Sequence, residues 1–361
     1  MKNVPSLPLP ALLLRVLLLA VMLPAAALLS AAPPAHAQTT SLGSTLEDVG
    51  EEYARRYAQP AVDAVGANLN SGFFYKSGVG DGGGLIPGVD LYLGVKAFAS
   101  QVPDADRTLS LSYSSSETIT FDNGVQCTTA EIPFTLNEVP TALGSRDAED
   151  VVIKLDKDDL RCDSGVEPPE PDDITITPLS GVDLGVAPLA VPQAGVGIAA
   201  TGTQLSLRYL PNLRYKDWVT MKFIGGGLRQ EITRFLPMLP LDLSTHLFYQ
   251  SVSFEEELIS AESTPFMAAS TWAGGVSASK TLSSVVTFYG SLQFERTRAN
   301  VEYTFDPGAD FETRTLGVSF SGANSFRVIA GASLGLGPVV LNVDVSQGQR
   351  RVLSAGLGFQ L

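Results

Sequence analysis

The sequence predicts an all-β fold, an antiparallel transmembrane β-barrel of about 12–14 strands with a short N-terminal helical segment. Three observations predict it. Beyond residue 190, apolar and polar residues alternate with period two through segments of roughly 9 to 12 residues, which suits a tilted membrane crossing. Soluble sheets use strands of about 5 to 6 residues. The second faces of these segments carry Gly, Ser, Thr, Gln and Asn with scattered charges, as a wet lumen allows. Lastly, residues 351–361 place Leu353, Ala355, Leu357, Phe359 and Leu361 on one parity and Ser354, Gly356, Gly358 and Gln360 on the other. A wall strand at that position closes a sheet whose open edge would leave backbone groups unsatisfied in lipid, at several kcal/mol each.

The first 37 residues differ from the rest. Lys2 and Arg15 precede and punctuate an apolar run over 11–32, and Ala35-His36-Ala37 stands before Gln38. This is the pattern of a secretory signal peptide cleaved after Ala37. Removing it leaves 361 − 37 = 324 residues, in which no stretch reaches the ~18 consecutive apolar residues of a membrane helix. Residues 38–76 then form the helical segment and a possible plug, and residues 77–361 the barrel, interrupted by an acidic insertion at about 103–190.

The net charge of −14 includes Lys2 and Arg15, so the chain without its leader carries −14 − 2 = −16. That balance argues against a nucleic-acid partner. Residues 103–175 hold 17 Asp and Glu against 5 Lys and Arg, so the insertion carries most of the charge. Both cysteines, Cys127 and Cys162, lie inside it, and an even pair in an exported chain points to a disulfide. A metal site lacks histidines, because only His246 remains after the leader.

In chain order, Ser44 to Leu69 reads as a helix. Ser44 and Glu47 make a capping box, and Leu46, Val49, Tyr53 and Tyr57 recur along one side. Pro60 should break or kink it. Such a helix either packs on a surface or enters the lumen. Val89, Leu91, Leu93, Val95, Ala97 and Ala99 start the alternation, against Asp90, Tyr92, Lys96 and Phe98. Leu109, Leu111 and Tyr113 suggest a return strand, and short strands fall near 118–121, 151–155 and 174–177. Later strands follow around 205–209, 219–223, 241–250, 286–295, 315–320, 326–336 and 339–345, with short turns that imply a meander. Gly225-Gly226-Gly227 marks a bulge, bend or close approach, with no phosphate-loop context around it. The charged residues on luminal parity are Asp90, Lys96, Arg208, Lys222, Asp242, Glu295, Arg327 and Asp344, with His246 beside them on the face of Asp242.

Chemistry motifs are absent from the sequence. His246 and Asp242 share a face without a defined nucleophile, and residues 156–163 lack the spacing and glycine of a calcium loop. No enzyme, cofactor or metal is expected.

Residues 57–60 (Tyr-Ala-Gln-Pro), 66–72 (Gly-Ala-Asn-Leu-Asn-Ser-Gly), 204–211 (Gln-Leu-Ser-Leu-Arg-Tyr-Leu-Pro) and 232–243 (Ile-Thr-Arg-Phe-Leu-Pro-Met-Leu-Pro-Leu-Asp-Leu) resemble a domain of unknown function among predicted bacterial outer-membrane β-barrel proteins. The layout, a helical piece before a barrel, is distantly similar to long-chain fatty-acid transporters. The final strand, with Phe359 near its end, resembles the signal read by the barrel-assembly machinery. These resemblances imply an outer-membrane location, with membrane lipid and that machinery as partners. Two functions stay open: a channel or transporter for small, even apolar, solutes, and a docking barrel with a plugged lumen whose acidic, disulfide-closed loop is the working surface. An exported soluble β-protein is the remaining alternative.

Overall fold

Strands in this chain must bury one face and satisfy every backbone group, and the only sheet that does both without an edge is a closed one. A computed structural model of the protein describes residues 44–79, 86–115, 118–120, 126–129, 132–153, 160–162, 174–176, 178–215, 219–236, 238–256, 265–282, 285–305 and 314–361. The expected signal peptide lies outside the described residues.

The helix α1 (Ser44–Leu69) is followed by wall strand β1 (Val89–Gln101). Short strands β2 (Thr108–Ser115), β3 (Thr118–Thr120), β4 (Gln126–Thr129), β5 (Ile132–Pro140), β6 (Val151–Ile153), β7 (Leu160–Cys162) and β8 (Ile174–Ile176) occupy the insertion. The wall resumes with β9 (Val186–Ile198), β10 (Thr203–Tyr215), β11 (Val219–Glu231), β12 (Asp242–Glu256), β13 (Pro265–Thr281) and β14 (Val286–Phe305). It finishes with β15 (Arg314–Ser321), β16 (Phe326–Leu336), β17 (Val339–Gln347) and β18 (Arg351–Gln360).

Sheet order runs β13-β12-β11-β10-β9-β1-β18-β17-β16-β14, and β13 pairing with β14 closes the ring. β14 pairs with β15 over its far half and with β16 over its near half, so these two share one position in the wall. The barrel therefore has ten strand positions. The expectation of about 12–14 is corrected: β2 pairs with β5, β4 with β3 and β7, and β6 with β8, all apart from the wall. Leu109 and Leu111 alternate because they cover Tyr53 and Tyr57 of α1, not because they face lipid.

The last strand closes the barrel as expected. β18 pairs antiparallel with β17 from Val339↔Phe359 to Gln347↔Arg351, and with β1 from Tyr92↔Gln360 to Ser100↔Val352. Short connections, residues 199–202 and 337–338, gather at the mouth where β1 begins and Leu361 bonds to Leu91. The opposite mouth, called the long-loop mouth, holds the ends Gln101 and Val186 from which the insertion departs and returns, with the strand ends Tyr215, Val219, Glu256, Pro265, Phe305 and Arg314.

Along β11 to β14 the polarity of the two faces changes sign. In β14, Phe288, Leu292 and Phe294 point outward and Tyr289, Gln293 and Glu295 inward, but beyond them Arg296, Arg298, Asn300 and Glu302 point outward and Ala299 and Val301 inward. β12 repeats this: Leu247 and Tyr249 are exposed above His246 and Gln250, then Ser251, Ser253 and Glu255 take the outside while Val252 turns in. Tyr249, Trp272 and Phe294 each stand as the last large outward apolar residue before the change. The wall thus has a lower tier, apolar outside and polar inside, and an upper tier with the reverse. No helix among the described residues is long and apolar enough to cross a membrane.

Candidate functional site: the filled lumen

The upper tier is a socket for α1. Leu210, Met221, Phe223, Val252, Val318 and Phe320 are buried against Val62, Ala67 and Leu69 of the helix, with Ala58 and Val65 beside them. α1 continues as one helix of 26 residues through Pro60, so the helix is not broken there. An interior proline costs about 3 kcal/mol, and packing of the helix on two sides outweighs that. On the far side, Ala61 and Ala64 meet Leu143, Val182 and Ala187, and Tyr53 and Tyr57 meet Leu109, Leu111, Leu136 and Val139, so the insertion completes the socket. Burial raises both phenols, Tyr57 to about 12 with help from neighbouring Tyr53. Burial also lifts the Asp63 carboxyl above its ordinary range, opposed by the N–H of Ala323, by Gln59 and by Arg350. Arg350 joins Asp63 (3.7 Å) and Asp106 (2.9 Å), linking helix, wall and insertion.

Gly72 turns the chain out of the helix at φ +61°, a conformation that favours glycine, and a side chain there would strike Phe98. Residues 70–79 then descend through the lower tier without regular structure. Arg208 holds the top of this descent: its guanidinium donates to the carbonyls of Leu69 (3.3 Å), Ser71 (2.9 Å) and Gly72 (2.7 Å), and to Gln193 and Gln250. A cation at the open carbonyl end of a helix also meets its negative pole. Gln250 reaches the Leu69 carbonyl, Gln293 that of Asn70 (2.7 Å) and Gln193 that of Phe73 (3.1 Å). Lower down, Arg229 donates to the carbonyls of Lys76 and Gly78, and Ser77 bonds to Ser277 and Ser279.

Aromatic rings fill the space between. Phe73 stacks on Phe248 at 3.9 Å, Tyr75 on Tyr92 at 4.9 Å, and Phe74 lies 5.2 Å from His246 and 5.9 Å from Tyr289. Beside Arg208, Phe73 and Phe248, the cavity between segment and wall measures about 10 Å³, room for no more than about one water.

Of the residues expected in the lumen, Asp90, Lys96, Arg208, His246, Glu295, Arg327 and Asp344 are buried inside it, and Asp242 sits at its lower rim with Ser279 as donor. Lys96 donates to Asn342 (2.6 Å), Tyr289 donates to Asp344 (2.9 Å), and Lys76 of the descending segment approaches Asp90 (3.5 Å). Arg327 and Glu295 form a fully enclosed two-point pair at 2.8 and 2.9 Å. Lys222 is the correction. It points outward in the upper tier and bonds Glu255, while Met221 and Phe223 on the other parity point in. Parity separated the faces of β11 correctly, but in this tier the apolar face belongs to the helix socket.

Sequence reasoning missed Arg229, Gln193, Gln250, Gln293 and the rings of residues 73–75. The glycine triplet hid Arg229: β11 continues through it, and Gly225 and Gly227 leave space for the side chains of Gln250 and Phe248 on β12. A three-residue helical turn, Thr233–Phe235, follows β11.

A family model, described as a family of unknown function (DUF6588), matches residues 11–361. The chain belongs to that family. No curated protein matches this DUF6588 member. Solved structures similar to it include the β domain of the Bordetella autotransporter BrkA, at 11% identity over 75% of this chain and 99% of that one, with a TM-score of 0.25. They also include the translocator domain of the autotransporter NalP from Neisseria meningitidis (11%, 90% and 99%, 0.24) and a BenF-like porin from Pseudomonas fluorescens Pf-5 (14%, 76% and 98%, 0.19).

Proposed function

We propose that this DUF6588 member is a bacterial outer-membrane barrel, closed at rest by its own N-terminal segment, that passes small solutes when residues 70–79 leave the lower lumen. The observation that carries the reading is the lower tier: large apolar side chains all round its outside, charged and polar ones lining its inside, and a noncovalently held strip of chain between. Contiguous exposed apolar surface on that scale marks contact with lipid. Lipid and, through β18, the barrel-assembly machinery are its partners in this reading, the leader ending at Ala37 is its export signal, and no enzymatic step is assigned.

Planar-bilayer recording tests it. The unmodified protein should show rare openings, Arg208→Gln should raise the open fraction severalfold, and a Ser71→Cys/Ser346→Cys pair should abolish current until reduced. Those two serine oxygens lie 3.5 Å apart, which suits the pair to bridging. Absence of current in all three proteins would sink the channel reading.

The docking alternative draws on a specific observation as well. Strands of the insertion lie across the long-loop mouth, and Cys127 and Cys162 are register partners across β4 and β7. In that reading the two form a disulfide that braces an acidic surface. Thiol alkylation of the denatured, unreduced protein should leave both cysteines unmodified.

A further inference from the structure

The described chain enters the lumen at one mouth and leaves at the other. At the long-loop mouth, Arg55 of α1 donates to the Ser319 carbonyl, Arg56 to that of Ser110 and Tyr57 to that of Ser180. At the short-turn mouth, the N–H of Val79 donates to Glu231, and the chain reaches Val89 where the turn at 199–202 and Leu361 gather. Residues 44–79 therefore make an eleventh crossing, inside the ten-stranded wall and antiparallel to β1. Ten wall positions alone would leave β1 and β18 with their ends at the same mouth. The interior crossing moves the Ser44 end to the opposite one.

How the lower tier grips this crossing is the second observation. Side-chain N–H groups of Arg208, Gln250, Gln293, Gln193 and Arg229 are aimed at main-chain carbonyls, those of Leu69, Asn70, Ser71, Gly72, Phe73, Lys76 and Gly78. The carbonyls of Leu69 to Gly72 end α1 and its turn, and those of Phe73, Lys76 and Gly78 lie in the strip without regular structure below it. Every residue has such a carbonyl, so donors placed this way hold chain through its backbone, with pockets adding only local preference. In the upper tier the lining changes to apolar groups that suit a folded amphipathic helix instead. The lumen is thus an extended-chain track that opens onto a helix socket.

We infer that the lower lumen is a binding track for extended polypeptide, and that the barrel uses it to carry its own N-terminal segment across the membrane, where α1 folds in the upper tier and stops the movement with the Ser44 end outside. This rests on the membrane placement proposed above, with the long-loop mouth external as in bacterial barrels. It requires neither a channel function nor a free pore.

Cell labelling tests it in full-length protein with Cys127→Ser and Cys162→Ser. Thr45→Cys and, two turns further on, Glu52→Cys report the helix end, and Pro338→Cys reports the short-turn mouth. Cells are treated with a maleimide carried on a polymer too large for porins. At least tenfold more label on Thr45→Cys and Glu52→Cys than on Pro338→Cys is expected in intact cells, with Pro338→Cys labelled only after the outer membrane is opened. Helix positions shielded until opening, in heat-modifiable outer-membrane protein, would overturn the inference. Absence of heat-modifiable protein from the outer-membrane fraction would instead overturn the membrane placement. A scrambled order of residues 73–76, with its rings and lysine retained, should keep at least half of the surface label. Loss of label in folded scrambled protein would show recognition by side chains and overturn the track.

Discussion

The lower and upper tiers of the wall are built from the same strands and the same alternation, yet they bury opposite faces. Below Tyr249, Trp272 and Phe294 the outside is Leu, Val and Phe and the inside carries Lys96, Arg208, Glu295 and Arg327. Above them Arg296, Arg298, Ser253 and Glu255 take the outside, and Met221, Val252, Val318 and Phe320 the inside. A strand takes its polarity from the media on its two sides. In the membrane placement proposed above, lipid against a polar, hydrogen-bonded segment gives one sign, and water against an amphipathic helix gives the other.

Breaking the lower interior should cost most. Glu295→Ala leaves the enclosed Arg327 guanidinium without its carboxylate, an expected loss of about 3–5 kcal/mol, read as a drop in the urea midpoint of protein refolded in lipid vesicles. In the upper interior, Phe320→Ala should cost about 3 kcal/mol but act on the helix. Protease should reach α1 while the wall keeps its heat-modifiable mobility. The exteriors sharpen the contrast as a pair. Leu247→Arg in the lower tier should destabilise by about 2–3 kcal/mol, whereas Ser253→Arg, six residues along the same strand, should stay within about 0.5 kcal/mol. Equal effects at the two sites would remove the distinction between tiers.

The smallest effect concerns pH. Asp63 has its carboxyl raised by burial, so its folded value lies above the unfolded one of about 3.9. The protonated form is then the one the fold favours. Its contribution is complete below the unfolded value and is lost as pH rises through the folded one. Helix docking, followed by protease protection of α1, should weaken slightly over that rise, and Asp63→Asn should flatten the dependence.

Much of the wall was legible in residues. The alternation of β1 and β18 is strict because each keeps an apolar exterior against a largely polar interior along its length, and eight of the nine expected luminal side chains lie inside the barrel or at its rim. Lys222 failed for a reason parity cannot hold, since a period of two separates faces without stating which is outside. The extra strands expected before residue 190 failed similarly. An apolar face on β2 looks the same whether lipid or Tyr53 and Tyr57 cover it.

By itself the sequence determined an all-β chain with strands of membrane length, a closing strand that pairs where β1 and β17 stand, and a helix over Ser44–Leu69. Those features follow from local periodicity and from the demand that no edge remain open. Only the tertiary structure decided that the helix fills the lumen, that the wall has two tiers of opposite sign, and that Arg208, Arg229 and three glutamines converge on one strip of backbone. Each of these depends on which segment occupies the space inside the ring. That choice is made by packing between residues more than a hundred positions apart, which no local pattern records.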